Sequence, residues 1–259
     1  MKIDEFKELL LDQGSHLYRD MPWRRDTRAY YILVSELMLQ QTQVTRVIPK
    51  FAAFIEKFPS EKELATASLG DVLKLWQGLG YNRRAKFLHE AAKEIIRLGS
   101  FPEVEKELVK LPGIGKNTAG AILTYSFNHP SIFIETNIRT VYIHHFFNDN
   151  FEVNDSDIID VLKQTIDNES PRDFYWSLMD YGSWLKTKGV RNNSQSKHYK
   201  KQTILEGSLR EMRGMIIRNL TTNTEIETLK SDYRFEKAIE GLLRDGLIRV
   251  TPKNIKLTK

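Results

Sequence analysis

Apolar side chains recur at helical spacing along most of the chain. Ile3, Phe6, Leu9 and Leu10 make one such face, Val72, Leu73, Leu75 and Trp76 another, and Val161, Leu162 and Ile166 a third. Short connections with turn residues separate these faces: Phe58-Pro59-Ser60, Gly99-Ser100-Phe101-Pro102, Asn128-His129-Pro130-Ser131 and Asn168-Glu169-Ser170-Pro171. Ser60 with Glu63 three residues on, and Ser68 before Asp71, read as helix N-caps. The pattern predicts an all-helical body up to about residue 205, and polar residues 191–201 read as a linker. Beyond Gly207, Leu209, Met212, Ile216 and Ile217 form one helical face, and Phe235, Ile239, Leu242 and Leu243 form another that stops at Asp245-Gly246. Two strand-like pieces follow, residues 247–250 and 255–257, split by Pro252 and Asn254. Helices followed by a small hairpin suggest a winged-helix-like module over 208–259. Such modules bind DNA in some proteins and pack on a neighbour in others.

A chain of 259 residues makes one long domain or two short ones and buries a core without covalent staples. With 41% hydrophobic and 28% charged residues it has the composition of a soluble globular protein. The absence of cysteine excludes disulfides, thiolate zinc sites, a cysteine nucleophile and a cysteine-held iron–sulfur cluster. No apolar run approaches the roughly 18 residues of a membrane span, and the amphipathic, acid-containing start is unlike a signal peptide. A cytoplasmic protein with no membrane partner is the default expectation. The net charge of +5 hides an asymmetry. Residues 1–185 carry 22 basic and 26 acidic side chains, whereas 186–201 hold Lys186, Lys188, Arg191, Lys197, Lys200 and Lys201 and no acid. Residues 208–259 carry 11 basic and 7 acidic side chains. A cationic back end on a mildly acidic body suggests a polyanionic partner, with a solvated basic loop as the alternative.

Two acids stand in apolar surroundings. Residues 29–39 read AYYILVSELML, apolar almost all round, so the helix is expected to be buried and Glu36 shielded from water. Burial raises a carboxyl pKa and suits a general acid. The alternative is a structural glutamate paired with a buried arginine. Glu135 ends the apolar run 132–134 just before the helical stretch Ile138, Val141, Tyr142. At a helix N-terminus it is expected to be held ionised by backbone N–H groups and the dipole, whether as a functional anion or a plain cap. One protonatable acid and one fixed anion would divide acid and charge-stabilising work between them. Between two helical patterns lies Leu111-Pro112-Gly113-Ile114-Gly115-Lys116, a helix-hairpin-helix signature. Its glycines permit a tight turn and close approach, and the N–H groups that open the next helix suit a phosphate.

These features together resemble the helix-hairpin-helix DNA glycosylases of the endonuclease III superfamily, most of all the MutY-type adenine DNA glycosylases. The resemblance runs through Met21-Pro22-Trp23-Arg24, residues 35–44 (SELMLQQTQV), 75–81 (LWQGLGY), the hairpin at 111–122 and Met179-Asp180-Tyr181-Gly182. It implies a mainly α, two-lobed fold over residues 1–205, with a barrel lobe at about 26–132 and a second lobe from 1–25 plus 133–205. It also implies roles. Glu36 matches the glutamate that protonates the departing base, Glu135 the aspartate that stabilises the cationic sugar, and Asn137 an asparagine beside it. Gln41 and Tyr81 match residues that probe or wedge the base stack. Gly113 and Gly115 match the phosphate-gripping hairpin, with Lys116 adding charge there. Double-stranded DNA with a mispaired or damaged base is the implied partner, met near the nucleoid by a monomer.

Four departures qualify the resemblance. Glu135 replaces the family's Asp, and Thr136 stands where adenine glycosylases usually have Gly, so the carboxylate is displaced. Asn117 occupies the hairpin position where bifunctional members carry the Schiff-base lysine, which predicts a monofunctional enzyme. The cluster cysteines are missing, with Lys186 at the first ligand position. The cationic stretch, Lys186 and Lys188 included, is then expected to keep a DNA-facing charge without metal. No cofactor is expected, apart from a candidate monovalent cation at the hairpin. Finally, the winged-helix-like tail stands in place of a Nudix-like domain. The leading expectation is a glycosylase in base excision repair that removes adenine opposite 8-oxoguanine or G. The alternatives are a mismatch thymine/uracil glycosylase and a non-catalytic DNA-binding protein.

Overall fold

A computed structural model describes residues 1–147, 152–199, 204–251 and 254–258; Lys200, Lys201 and Pro252 lie outside the described residues. The chain forms two compact units. One comprises Met1–Ala29, Glu103–Val109 and Ile114–Lys201, the other Tyr30–Pro102, Lys110–Gly113 and Gln202–Lys259. The first unit starts with α1 (Ile3–Leu17) and α2 (Pro22–Arg25). The second takes up α3 (Ala29–Leu39), α4 (Val44–Lys57), α5 (Glu61–Thr66), α6 (Leu69–Leu75) and α7 (Arg83–Leu98). The chain then returns to the first unit for α8 (Glu105–Leu108), α9 (Lys116–Phe127), α10 (Thr136–Phe146), α11 (Asp155–Thr165) and α12 (Pro171–Thr187). It ends in the second with α13 (Leu209–Thr221), α14 (Phe235–Arg244) and the strands β1 (Ile248–Val250) and β2 (Ile255–Leu257). The expected helical body and terminal hairpin are both present. Ser60 and Ser68 cap α5 and α6 as their spacing predicts, accepting from Lys62 N and Asp71 N.

In the first unit α12 is the central element, with α1 and α10 packed on it. Gly14 lets α1 approach closely, because a Cβ there would come within 2.1 Å of Ser177 Oγ. Buried Asp180 on α12 accepts both arms of the Arg24 guanidinium at 2.6 and 2.9 Å and a further bond from Arg19 at 2.5 Å. Removing one member of such a buried pair typically costs about 3–5 kcal/mol, because the other charge is left uncompensated. Phe133 stacks on Tyr175 at 4.1 Å and lies against Gly120 of α9. The Tyr175 hydroxyl donates to Ser131 O at 2.7 Å. These contacts fix the segment that leads into α10.

Residues 191–199 are not a free linker. Asn192–Gln195 form a 3-10 turn against α10, where Asn192 Nδ2 donates to Thr140 O and Thr140 Oγ1 donates to Asn193 Oδ1. The backbone pairs Val153 with residues 195–197. The polar side chains that suggested a linker instead satisfy backbone groups of α10.

The second unit is built around α3, in which Leu33, Val34, Leu37 and Met38 have no exposed surface. Phe54 and Trp76 pack edge to face beside it. The C-terminal segment belongs to this unit. Helix α13 lies on α6, α14 and β2, and Leu257 approaches Gly70. β1 and β2 pair antiparallel, Ile248 opposite Leu257. Lys86 Nζ ties α7 to the end of α14 through Asp245 O at 2.9 Å.

Candidate active site

In the first unit, three elements converge on Glu135 and Asn137. Glu135 is the N-cap residue of α10, as expected, with extended backbone. Its side chain, however, makes no capping hydrogen bond. The expectation of a dipole-held anion is therefore corrected. Without a capping bond, desolvation decides, and burial pushes the Glu135 carboxyl up to about 7. In the free protein Glu135 is itself a protonatable acid near neutral pH.

Asn137, the second residue of α10, is held at both ends of its amide. Its Nδ2 donates to Met179 O at 3.1 Å, and its Oδ1 accepts from Lys186 Nζ at 2.6 Å. Gly182 makes this possible, because a Cβ there would stand 2.4 Å from Asn137 O. Lys186 is thus turned inward and half-buried, not presented as a surface cation. Desolvation, with Arg191 and Arg19 nearby, lowers its ammonium pKa. Lys188 is exposed and lies over the Trp184 ring at 5.4 Å.

The hairpin reaches the same place. Asn117, at the start of α9, donates from Nδ2 to Ile134 O at 2.9 Å, one residue before Glu135. The hairpin position at which the resemblance expects a nucleophilic lysine in bifunctional members therefore carries an amide bonded to the backbone next to Glu135. Gly113 has φ +78°, and a Cβ there would meet Phe87 at 2.7 Å, so glycine is required. Gly115 differs from expectation. Its φ of −91° suits any residue and its missing Cβ faces open space. It N-caps α9 beside exposed Lys116 and leaves the helix start open to an incoming group.

In the second unit, Glu36 is half-buried on α3, between the fully buried Val34 and Leu37. Gln41 and Tyr81 each adopt left-handed backbone, with φ of 56° and 47°. For residues other than Gly or Asn this costs of order 1–3 kcal/mol, and it persists only where the surroundings enforce it. The enforcing group is Arg84, which sequence reasoning missed. Its buried guanidinium donates to the carbonyls of Leu37, Met38 and Gln40 at the end of α3, and to Leu79 O and Gly80 O at 3.0 and 3.1 Å. Desolvation lowers its pKa to about 10. One side chain thus pins both loops that carry Gln41 and Tyr81. Apart from Thr42 Oγ1 at 3.2 Å its acceptors are backbone oxygens, so the spacing of residue types does not reveal it. The Arg24–Asp180 pair was likewise within the matched motifs but without an assigned role.

Residues 34–164 match the HhH-GPD superfamily of base excision DNA repair proteins. The chain belongs to this family. It is 37% identical over 187 residues to an adenine DNA glycosylase of Buchnera aphidicola subsp. Baizongia pistaciae, which covers 70% of this chain and 52% of that protein. A Mycolicibacterium smegmatis protein of the same name is 32% identical over 273 residues, 93% of this chain and 92% of the relative. The chain spans about half the length, or less, of the Buchnera relatives. Among solved HhH-GPD-like folds, a thermostable thymine-DNA glycosylase aligns with a TM-score of 0.62 at 23% identity, over 70% of this chain and 86% of that one. A trapped endonuclease III–DNA covalent intermediate aligns with 0.59 at 16%, over 71% and 87%. At those identities the likeness is one of fold. An iron–sulfur cluster held by cysteines does not fit this HhH-GPD chain, which has no cysteine and directs Lys186 to Asn137. No described helix is long and apolar enough to cross a membrane.

Proposed function

We propose that this HhH-GPD protein is a monofunctional DNA glycosylase that removes adenine mispaired with 8-oxoguanine or guanine, and that it works without a cluster. The observation that carries the reading is the Asn117–Ile134 bond. It joins the hairpin helix to the backbone of Glu135, with an amide where a lyase needs an amine. The relatives named adenine DNA glycosylase support the choice of base. Adenine opposite 8-oxoguanine or guanine leaves the stack at a cost of a few kcal/mol, and strained Gln41 and Tyr81 are suited to hold the opened duplex. Glu36 donates a proton to the leaving adenine as the C1′–N bond breaks. Glu135, ionised, faces the positive charge that develops on the sugar. Water adds to C1′ and gives up its proton to the Glu36 carboxylate left by the first step, which leaves an abasic site. General acid catalysis of this kind is worth about 10²–10⁴ in rate.

The test is single-turnover base release from duplexes holding A opposite 8-oxoguanine, G or C, and T or U opposite G, with borohydride trapping in parallel. Adenine release from the first two without a trapped adduct is expected. Release of T or U instead would assign the site to pyrimidine mispairs, and a trapped adduct would refute monofunctional hydrolysis.

A further inference from the structure

The C-terminal segment does more than cover the second unit. Helix α13 faces the strained loops, and Arg210 lies 5.0 Å above the Tyr81 ring and donates to its hydroxyl. On one side of this pair is a groove of about 670 Å³, bounded by Gln41, Arg46 and Gln77 from the body and by Arg210, Glu211 and Arg218 from α13. Amides and three guanidiniums reach its walls beside the apolar Leu79, Leu205 and Met215. The one acid, Glu211, is bonded from behind by Arg234 at 2.8 Å, so its charge is neutralised. Arg46 and Arg218 are exposed, and among the described residues no carboxylate is paired with either. Arg213 differs, because it is engaged by Asp245 outside this groove. Two uncommitted guanidiniums flanking a channel that begins at Gln41 and Tyr81 match a polyanion, whose charges they would meet in bidentate fashion.

We infer that α13 and the loops at 40–46 and 77–82 form a second DNA-contacting groove, in which Arg46 and Arg218 bind phosphates of the strand passing Gln41 and Tyr81 and Arg210 stations the Tyr81 ring. This rests on the DNA glycosylase reading and extends it, giving the C-terminal module a contact through α13 and not through the β1–β2 wing. The arrangement also explains why the module is built into the second unit. Its helix completes a surface that the body supplies only in part.

The experiment measures the Kd of the full chain for a duplex with A opposite 8-oxoguanine across a salt series, in a Glu36→Gln background that prevents turnover. Arg46→Ala and Arg218→Ala are compared with Arg249→Ala, which removes an exposed arginine on the wing strand. Melting curves confirm that each variant is folded. Each groove variant is expected to lower the slope of log Kd against log salt by about one, with Arg249→Ala unchanged. Slopes unchanged in both groove variants, or lowered in Arg249→Ala alone, would overturn the inference while leaving the glycosylase reading intact if the wild type still releases adenine. A wild type that binds no DNA would overturn both.

Discussion

A single proton on Glu135 sets the expected pH behaviour. Its carboxyl is pushed from an ordinary carboxylate value to about 7 by burial, with no capping hydrogen bond to hold the anion. Because the folded state binds this proton more tightly than the unfolded chain, this group lowers stability as pH rises from about 4.5 to about 7, and the loss is complete above. Glu135→Gln should therefore raise Tm at pH 8 more than at pH 5, while slowing base release by about 10² or more. In the wild type, kcat/KM should climb toward pH 8 on a limb near 7, if charge on Glu135 is what the sugar needs. A limb that persists in Glu135→Gln would assign it to another group. Lys186 is the second residue-scale case. Lys186→Met, which frees Asn137 Oδ1, should lower the saturating single-turnover rate with little change in Kd, and Lys186→Arg should restore part of it. A change in Kd alone would make Lys186 a phosphate contact after all. Sequence reasoning singled out Glu36, Glu135, Asn137 and Asn117 as candidate site residues. It misjudged the protonation of Glu135 and the direction of Lys186, since both depend on side-chain rotamers and packing and not on spacing.

Elements were more legible than their joints. The apolar run of α3, the caps of α5 and α6, and the α13–α14–hairpin tail all follow from periodicity and turn residues. The segment 191–199 was not legible, because its polar side chains pair with α10 rather than with water. The hairpin glycines looked equivalent and are not. Gly113→Ala forces left-handed backbone and a clash with Phe87, so it should cost at least about 1–3 kcal/mol of stability. Gly115→Ala should leave Tm nearly unchanged and weaken binding to all DNA sequences alike, as expected of a backbone phosphate contact. A Tm loss in Gly115→Ala equal to that in Gly113→Ala would contradict this division. Arg84 joins two elements. Arg84→Met orphans carbonyls at the end of α3 and in the 78–82 loop, each costing about 1–3 kcal/mol when buried and unpaired. The variant should unfold at markedly lower denaturant, and any folded fraction should lose discrimination between mispaired and matched duplexes.

For the whole molecule, charge sums mislead. The basic run that begins at Lys186 looked like a uniform DNA-facing patch. Lys186 is committed to Asn137, Lys188 lies over Trp184, and Lys197 pairs with Glu152 at 3.1 Å. Neutralising Lys197 should therefore change the salt slope of DNA binding less than neutralising Arg218. What the whole chain is proposed to do depends on two glutamates acting on one flipped adenine, in a protein with no cysteine to hold a cluster. The most direct measurement is the single-turnover release of free adenine from a duplex with A opposite 8-oxoguanine, comparing the wild type with Glu36→Gln and Glu135→Gln. Release by the wild type and a loss of about 10² or more in each variant are expected. Adenine release that survives either substitution, or its absence in the wild type, would contradict the two-glutamate mechanism.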